Sequence, residues 1–112
     1  MAPDSLTVQW SPEAEDLLRR RGNYTLEQIH QEFERDPKRE ALSFDQDRRC
    51  YVTPVANHRY SVIWQMFPKQ NIAKVAAVVP TRFVAGDNPQ TLKARVQSVV
   101  SLETGGRVTL DF

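Results

Sequence analysis

His58 and Arg59 stand together just before an apolar run, and Arg82 stands just after the next one. An imidazole can move protons near neutral pH, and guanidinium groups can grip the oxygens of a phosphate through paired N–H donors. Cleavage of RNA by its own 2′-hydroxyl needs a base for that hydroxyl, cations for the charge gathering on the phosphorus oxygens, and an acid for the leaving oxygen. It needs no nucleophilic side chain, no metal and no other cofactor. In that chemistry His58 is the base or acid, and Arg59 and Arg82 are phosphate clamps. The plain alternative is that His58 is a turn residue with an exposed ring.

The elements that must position these groups lie between Asn57 and Arg82. Tyr60, Val62, Trp64 and Met66 alternate with Ser61, Ile63, Gln65 and Phe67, and Ile72 to Val79 is nearly all aliphatic. Two β-rich runs on a short polar turn predict an antiparallel hairpin in a covered sheet, which brings Arg59 and Arg82 to the same sheet end. Alternation also places Tyr60 and Trp64 on the face of Val62 and Met66, which favours core packing over base stacking.

Before the hairpin, Leu6 to Trp10 reads as a strand. Ser11-Pro12 caps a first helix with Ala14, Leu17 and Leu18 on one face, Arg19 to Arg21 forming its solvated carboxyl end before Gly22-Asn23. Thr25 and Gln28 have capping-box spacing, with Tyr24 and Ile29 as a staple, for a second helix that buries Leu26, Ile29 and Phe33 and ends at Asp36-Pro37. His30 borders that apolar stripe, where packing is the better role. Ala41 to Phe44 and Arg49 to Val55 read as strands, with Pro54 marking a frayed end or a sheet edge. After the hairpin, Asn88 caps a third helix with Leu92, Val96, Val99 and Val100 on one face, and Arg107 to Phe112 alternates as a terminal strand. The expected fold is α+β: a small antiparallel sheet of about four strands, two N-terminal helices packed on one face, a C-terminal helix and a terminal strand.

At 112 residues and 40% hydrophobic content the chain suits one domain over 1–112, with a core of about 6–82 and an extension of 83–112. Cys50 is the single cysteine, so no internal disulfide forms. No apolar run suits a membrane span, and the opening MAPDSLTVQW does not read as a signal peptide, so a cytoplasmic location is expected. Residues 1–56 carry eight Lys/Arg against eleven Asp/Glu, and residues 57–112 seven against three, giving halves of −3 and +4. Arg48, Arg49 and Lys38, with Arg39, Lys93 and Arg95, are candidates to extend a cationic surface towards RNA. Glu40, Asp45 and Asp47 interleave with them, so ordinary surface charge is an equal reading.

LTVQWSPEAEDLL with its Ser-Pro-Glu-Ala helix start, Asp36-Pro37 after the second helix, and HRYSVIWQM followed by IAKVAAVVPTR together resemble the RelE/ParE superfamily of bacterial toxin–antitoxin toxins, over roughly Leu6 to Arg82. That resemblance implies a toxin neutralised by a cognate antitoxin, acting either as a metal-independent ribonuclease on messenger RNA at the ribosome or as an inhibitor of DNA gyrase. In the nuclease branch an arginine after the last strand contacts the scissile phosphate, which Arg82 matches. The early basic position of the third strand falls on Ser61, with Arg59 two residues earlier on the same strand face, and no Tyr or His follows Arg82. Those departures keep two alternatives open. One is a gyrase inhibitor or degenerate toxin working by protein binding, and the other is an adaptor whose strand edge receives an extended peptide.

Overall fold

Ser11 shows how the first turn of chain is built. Its hydroxyl accepts from the Ala14 main-chain nitrogen at 3.0 Å, capping the helix that follows, and donates to the Ala76 carbonyl at 3.0 Å. A computed structural model describes residues 7–21, 26–84 and 88–107. In chain order these form β1 (Thr7–Trp10), α1 (Pro12–Arg21), α2 (Leu26–Arg35), β2 (Leu42–Asp45), β3 (Cys50–Val55), β4 (Tyr60–Phe67), β5 (Ile72–Pro80), a 3-10 turn (Thr81–Phe83) and α3 (Pro89–Glu103). The fold is α+β.

The sheet has five strands in the order β1-β5-β4-β3-β2. It differs from the expected four antiparallel strands in being mixed: β1 pairs parallel to β5, with Thr7 opposite Ile72 and Trp10 opposite Val75. Two helices and three strands separate these partners in sequence, so no short connection constrains their direction. β4 and β5 form the expected hairpin, from Phe67 opposite Ile72 to Tyr60 opposite Pro80. β3 reaches beyond β2, which pairs only as far as Val52, so Pro54 sits where its missing N–H costs no ladder bond.

A bulge in β5 sets which side chains face which helices. Ile63 pairs with Ala77 and Trp64 with Val75, leaving Ala76 as an extra residue. Below it Ala73 and Val75 join Ile29, Phe33, Val62 and Trp64 under α1 and α2; above it Ala77 and Val79 turn to the other face, where they meet Ile63, Leu92, Val96 and Val100. The sheet is thus covered on both sides, by α1 and α2 on one and by α3 on the other. Leu17 packs with the second group while Ala14 and Leu18 pack with the first, so α1 closes the sheet edge beyond β1.

Asn88 caps α3 as expected, its side-chain oxygen accepting from the Thr91 nitrogen at 3.0 Å. Trp64 is fully buried, its Nε1 donating to the Thr53 hydroxyl at 2.9 Å, and Tyr51 stacks on it at 4.8 Å between ring centroids. His30 stacks on Trp10 at 4.0 Å, a packing role. The Gly22-Asn23 break, the Tyr24 and Thr25 capping signals and the terminal strand beyond Arg107 lie outside the described residues, as does the Leu26 side chain. No helix among the described residues is long and apolar enough to cross a membrane.

Candidate functional site

The β4–β5 register carries two arginines to one end of the sheet. Tyr60 opposes Pro80, and one step further the Thr81 nitrogen donates to the Arg59 carbonyl at 2.9 Å. Ser61 and Thr81 hydroxyls meet at 3.0 Å just inside this end, fixing the start of the 3-10 turn that bears Arg82. Both arginines are exposed, and among the described residues neither is ion-paired. The Arg82 guanidinium carbon lies 5.3 Å from the centroid of the Phe83 ring, which leaves its N–H edge available to an anion.

His58 enters from the β3–β4 turn. The Arg59 nitrogen donates to the Ala56 carbonyl at 3.1 Å, and Ala56, Asn57 and His58 are left-handed in succession, with φ of 53°, 55° and 65°. Left-handed backbone favours glycine and asparagine; here alanine and histidine hold two of the three positions. The His58 Nε2 lies 3.2 Å from Glu40 Oε2, with the two side chains 61% and 56% exposed. The contact is an ion pair when the imidazole is protonated.

That contact turns His58 towards α2. There a groove of about 410 Å³ is lined by Glu32 and Arg35 of α2, Arg39 and Glu40 of the turn after it, and Asn57 and His58. Neither Arg59 nor Arg82 lines it. Of the three residues expected to act together, His58 and Arg59 are neighbours along the chain and Arg82 reaches their sheet end through the β4–β5 register, but the histidine ring is engaged on the α2 side while the arginines mark the sheet end.

The expected RNA-contacting residues do not form one surface. Arg48 and Arg49 lie in the β2–β3 turn, where the Arg49 carbonyl accepts from Met66 N at 2.9 Å and the Arg48 carbonyl from Gln65 Nε2 at 3.0 Å. Six residue steps along β4, from Met66 to Tyr60, separate that level from the arginine end, a distance of roughly 20 Å at strand rise. Lys38 instead belongs with His58, in the turn whose Pro37 carbonyl accepts from the Thr53 hydroxyl and whose Arg39 and Glu40 line the groove. Lys93 is held by Asp45 at 3.0 Å, beside the β2–β3 turn.

Two other titratable groups have clear environments. The Arg48 main-chain N–H, at 3.0 Å, holds the Asp45 carboxyl below the usual carboxylate value despite its burial, and Lys93 adds to this. Burial, reinforced by the Asp45 charge, pushes the Cys50 thiol up to about 11, which keeps it protonated and unreactive. Among the described residues no group of three or more His, Cys, Asp or Glu side chains is placed to hold a metal ion.

Sequence reasoning passed over Glu32 and Arg35, and read Glu40 only as one of the acids interleaved with surface cations. Gln28, Glu32 and Arg35 form a polar stripe at helical spacing beside the buried Ile29 and Phe33, which reads as a solvated helix face until the β3–β4 turn is seen to close over it. Compared with protein-family models, curated proteins and solved structures, the chain matches none.

Proposed function

We propose that this chain is a toxin of the RelE/ParE type that inhibits translation by cleaving messenger RNA at the ribosome, in the cytoplasm, and is neutralised by a cognate antitoxin. The observation that carries the reading is the β4–β5 register, which sets two exposed arginines free of ion pairs among the described residues at one sheet end. Arg59 and Arg82 receive the scissile phosphodiester and offset the charge that develops on its oxygens. His58, one residue away, moves the proton once its ring leaves Glu40.

Induced expression without a partner is expected to arrest growth and leave cut messenger RNA, mapped by primer extension on purified ribosomes. Arg59→Ala and Arg82→Ala should each slow cutting by about 10²–10³, the scale for losing one group that stabilises transition-state charge. Normal growth with intact messenger RNA overturns the proposal.

A second reading, a non-enzymatic toxin or degenerate relative acting on gyrase or another protein, is favoured by one observation: His58 is engaged with Glu40 in a groove that neither arginine lines. A DNA-damage response without RNA cutting would select it.

A further inference from the structure

The groove between α2 and the β3–β4 turn has the properties of a ligand site in its own right. Its volume of about 410 Å³ falls in the range of small-molecule sites, about 300–1,000 Å³. Its acidic side chains are already committed: both Glu32 oxygens accept from Ala56 N, at 3.1 and 3.0 Å, and Glu40 holds His58. Arg35 and Arg39 line the same groove and are not ion-paired among the described residues. With both carboxylates taken up by Ala56 N and His58, the charged donors left to a ligand are the two planar guanidinium forks, which suit phosphate.

The remaining lining is uncharged but rich in paired donors and acceptors. Gln28 and Gln31 line the groove from α2, Gln31 Nε2 also donating to Glu27 Oε1 at 3.2 Å, and Asn57 lines it from the turn opposite. Carboxamides recognise the edge of a nucleobase by matching a donor and an acceptor at once. Three lining residues, Glu40, Asn57 and His58, also hold left-handed backbone, with φ of 56°, 55° and 65°. Such conformations cost about 1–2 kcal/mol per residue and cluster where a surface is shaped for binding.

We propose that this groove binds a ribonucleoside monophosphate, its phosphate between Arg35 and Arg39 and its base edge against Gln28, Gln31 and Asn57. The site is separate from the Arg59 and Arg82 end of the sheet, and its occupancy does not depend on RNA being cut there.

Calorimetric titration of the full chain with each of the four ribonucleoside 5′-monophosphates, with adenosine and with inorganic phosphate tests this. At least one monophosphate should bind, about tenfold or more tighter than either adenosine or phosphate alone. Arg35→Gln and Arg39→Gln, both exposed positions, should each weaken that binding by about tenfold, while Arg59→Ala with Arg82→Ala leaves it within about twofold. Asn57→Ala should reduce the discrimination between bases. No heat from any monophosphate at millimolar concentration overturns the proposal. So does binding that survives Arg35→Gln with Arg39→Gln, or that disappears with Arg59→Ala and Arg82→Ala alone.

Discussion

The Ala56 main-chain nitrogen donates to both carboxylate oxygens of Glu32, at 3.1 and 3.0 Å. Glu32 lies on the exposed side of α2 and Ala56 opens the β3–β4 turn with a φ of 53°. A helix side chain thus satisfies a turn that cannot satisfy itself, since Ala56 is buried and its N–H is directed away from β4.

Glu32→Ala should destabilise the fold by about 1–2 kcal/mol, the cost of a buried donor losing its partner when the acceptor is itself partly solvated. Glu32→Gln keeps one acceptor oxygen and should lose about half as much. Urea midpoints at constant m-value measure both. A loss near zero for Glu32→Ala would mean that water replaces the carboxylate.

His58→Gly should raise stability by about 0.5–1 kcal/mol. Glycine adopts a φ of 65° without the clash a Cβ meets, whereas the exposed Glu40 contact it removes is worth little. The same substitution should abolish RNA cutting under the proposed function. Higher thermal stability together with lost activity would identify this turn as one kept strained for use rather than for folding.

Much of this fold was legible because it rests on local signals. Ser11-Pro12, Asn88 and the alternation through Tyr60 to Phe67 each specify their own element, and the arginine pair at the sheet end follows from hairpin geometry alone. The parallel seat of β1 against β5 was not legible, because partners so distant in sequence share no turn that fixes their direction. The bulge at Ala76 is hidden in KVAAVVP, where consecutive apolar residues mask a change of face. The direction of His58 depended on Glu40, eighteen residues away, and the separation of Arg48 and Arg49 from Arg59 needed only the length of β3 to be counted.

Cys50 should resist iodoacetamide at pH 8 in the folded chain and react only on unfolding, read by mass spectrometry, since its thiol is buried and protonated. Its folded pKa of about 11 exceeds the unfolded 9.0, so the stability it contributes is complete below pH 9 and drains as pH rises towards 11. Cys50→Ala should show a shallower loss over that window than the parent chain.

Asp45 has the opposite sign. Its pKa is lowered on folding, so its contribution is present above the unfolded value of 3.8 and is lost as pH falls through the lower folded value. Asp45→Asn keeps an acceptor for Arg48 N but gives up the contact to Lys93 on a side chain only 7% exposed, and should cost about 1 kcal/mol near neutral pH. The two chains should converge in stability in acid below that point; a difference that persists there would assign the effect to packing.

Thr53 joins the core to the proposed nucleotide groove. Its hydroxyl donates to the Pro37 carbonyl and accepts from Trp64 Nε1 at 2.9 Å, in a position only 2% exposed. Thr53→Val preserves shape but leaves a buried donor and a carbonyl without partners, at about 1–3 kcal/mol for each group that water cannot reach. Trp64→Phe with Thr53→Val should then cost less than the two single changes added together, because the indole donor no longer needs the hydroxyl. The Pro37 contact also anchors the turn that carries Arg39 and Glu40, so Thr53→Val should weaken monophosphate binding even though the hydroxyl lines no part of the groove itself. Thr53→Ser, which restores both hydrogen bonds, should recover that binding; failure to recover it would place the coupling in the lost methyl rather than in the Thr53–Pro37 contact.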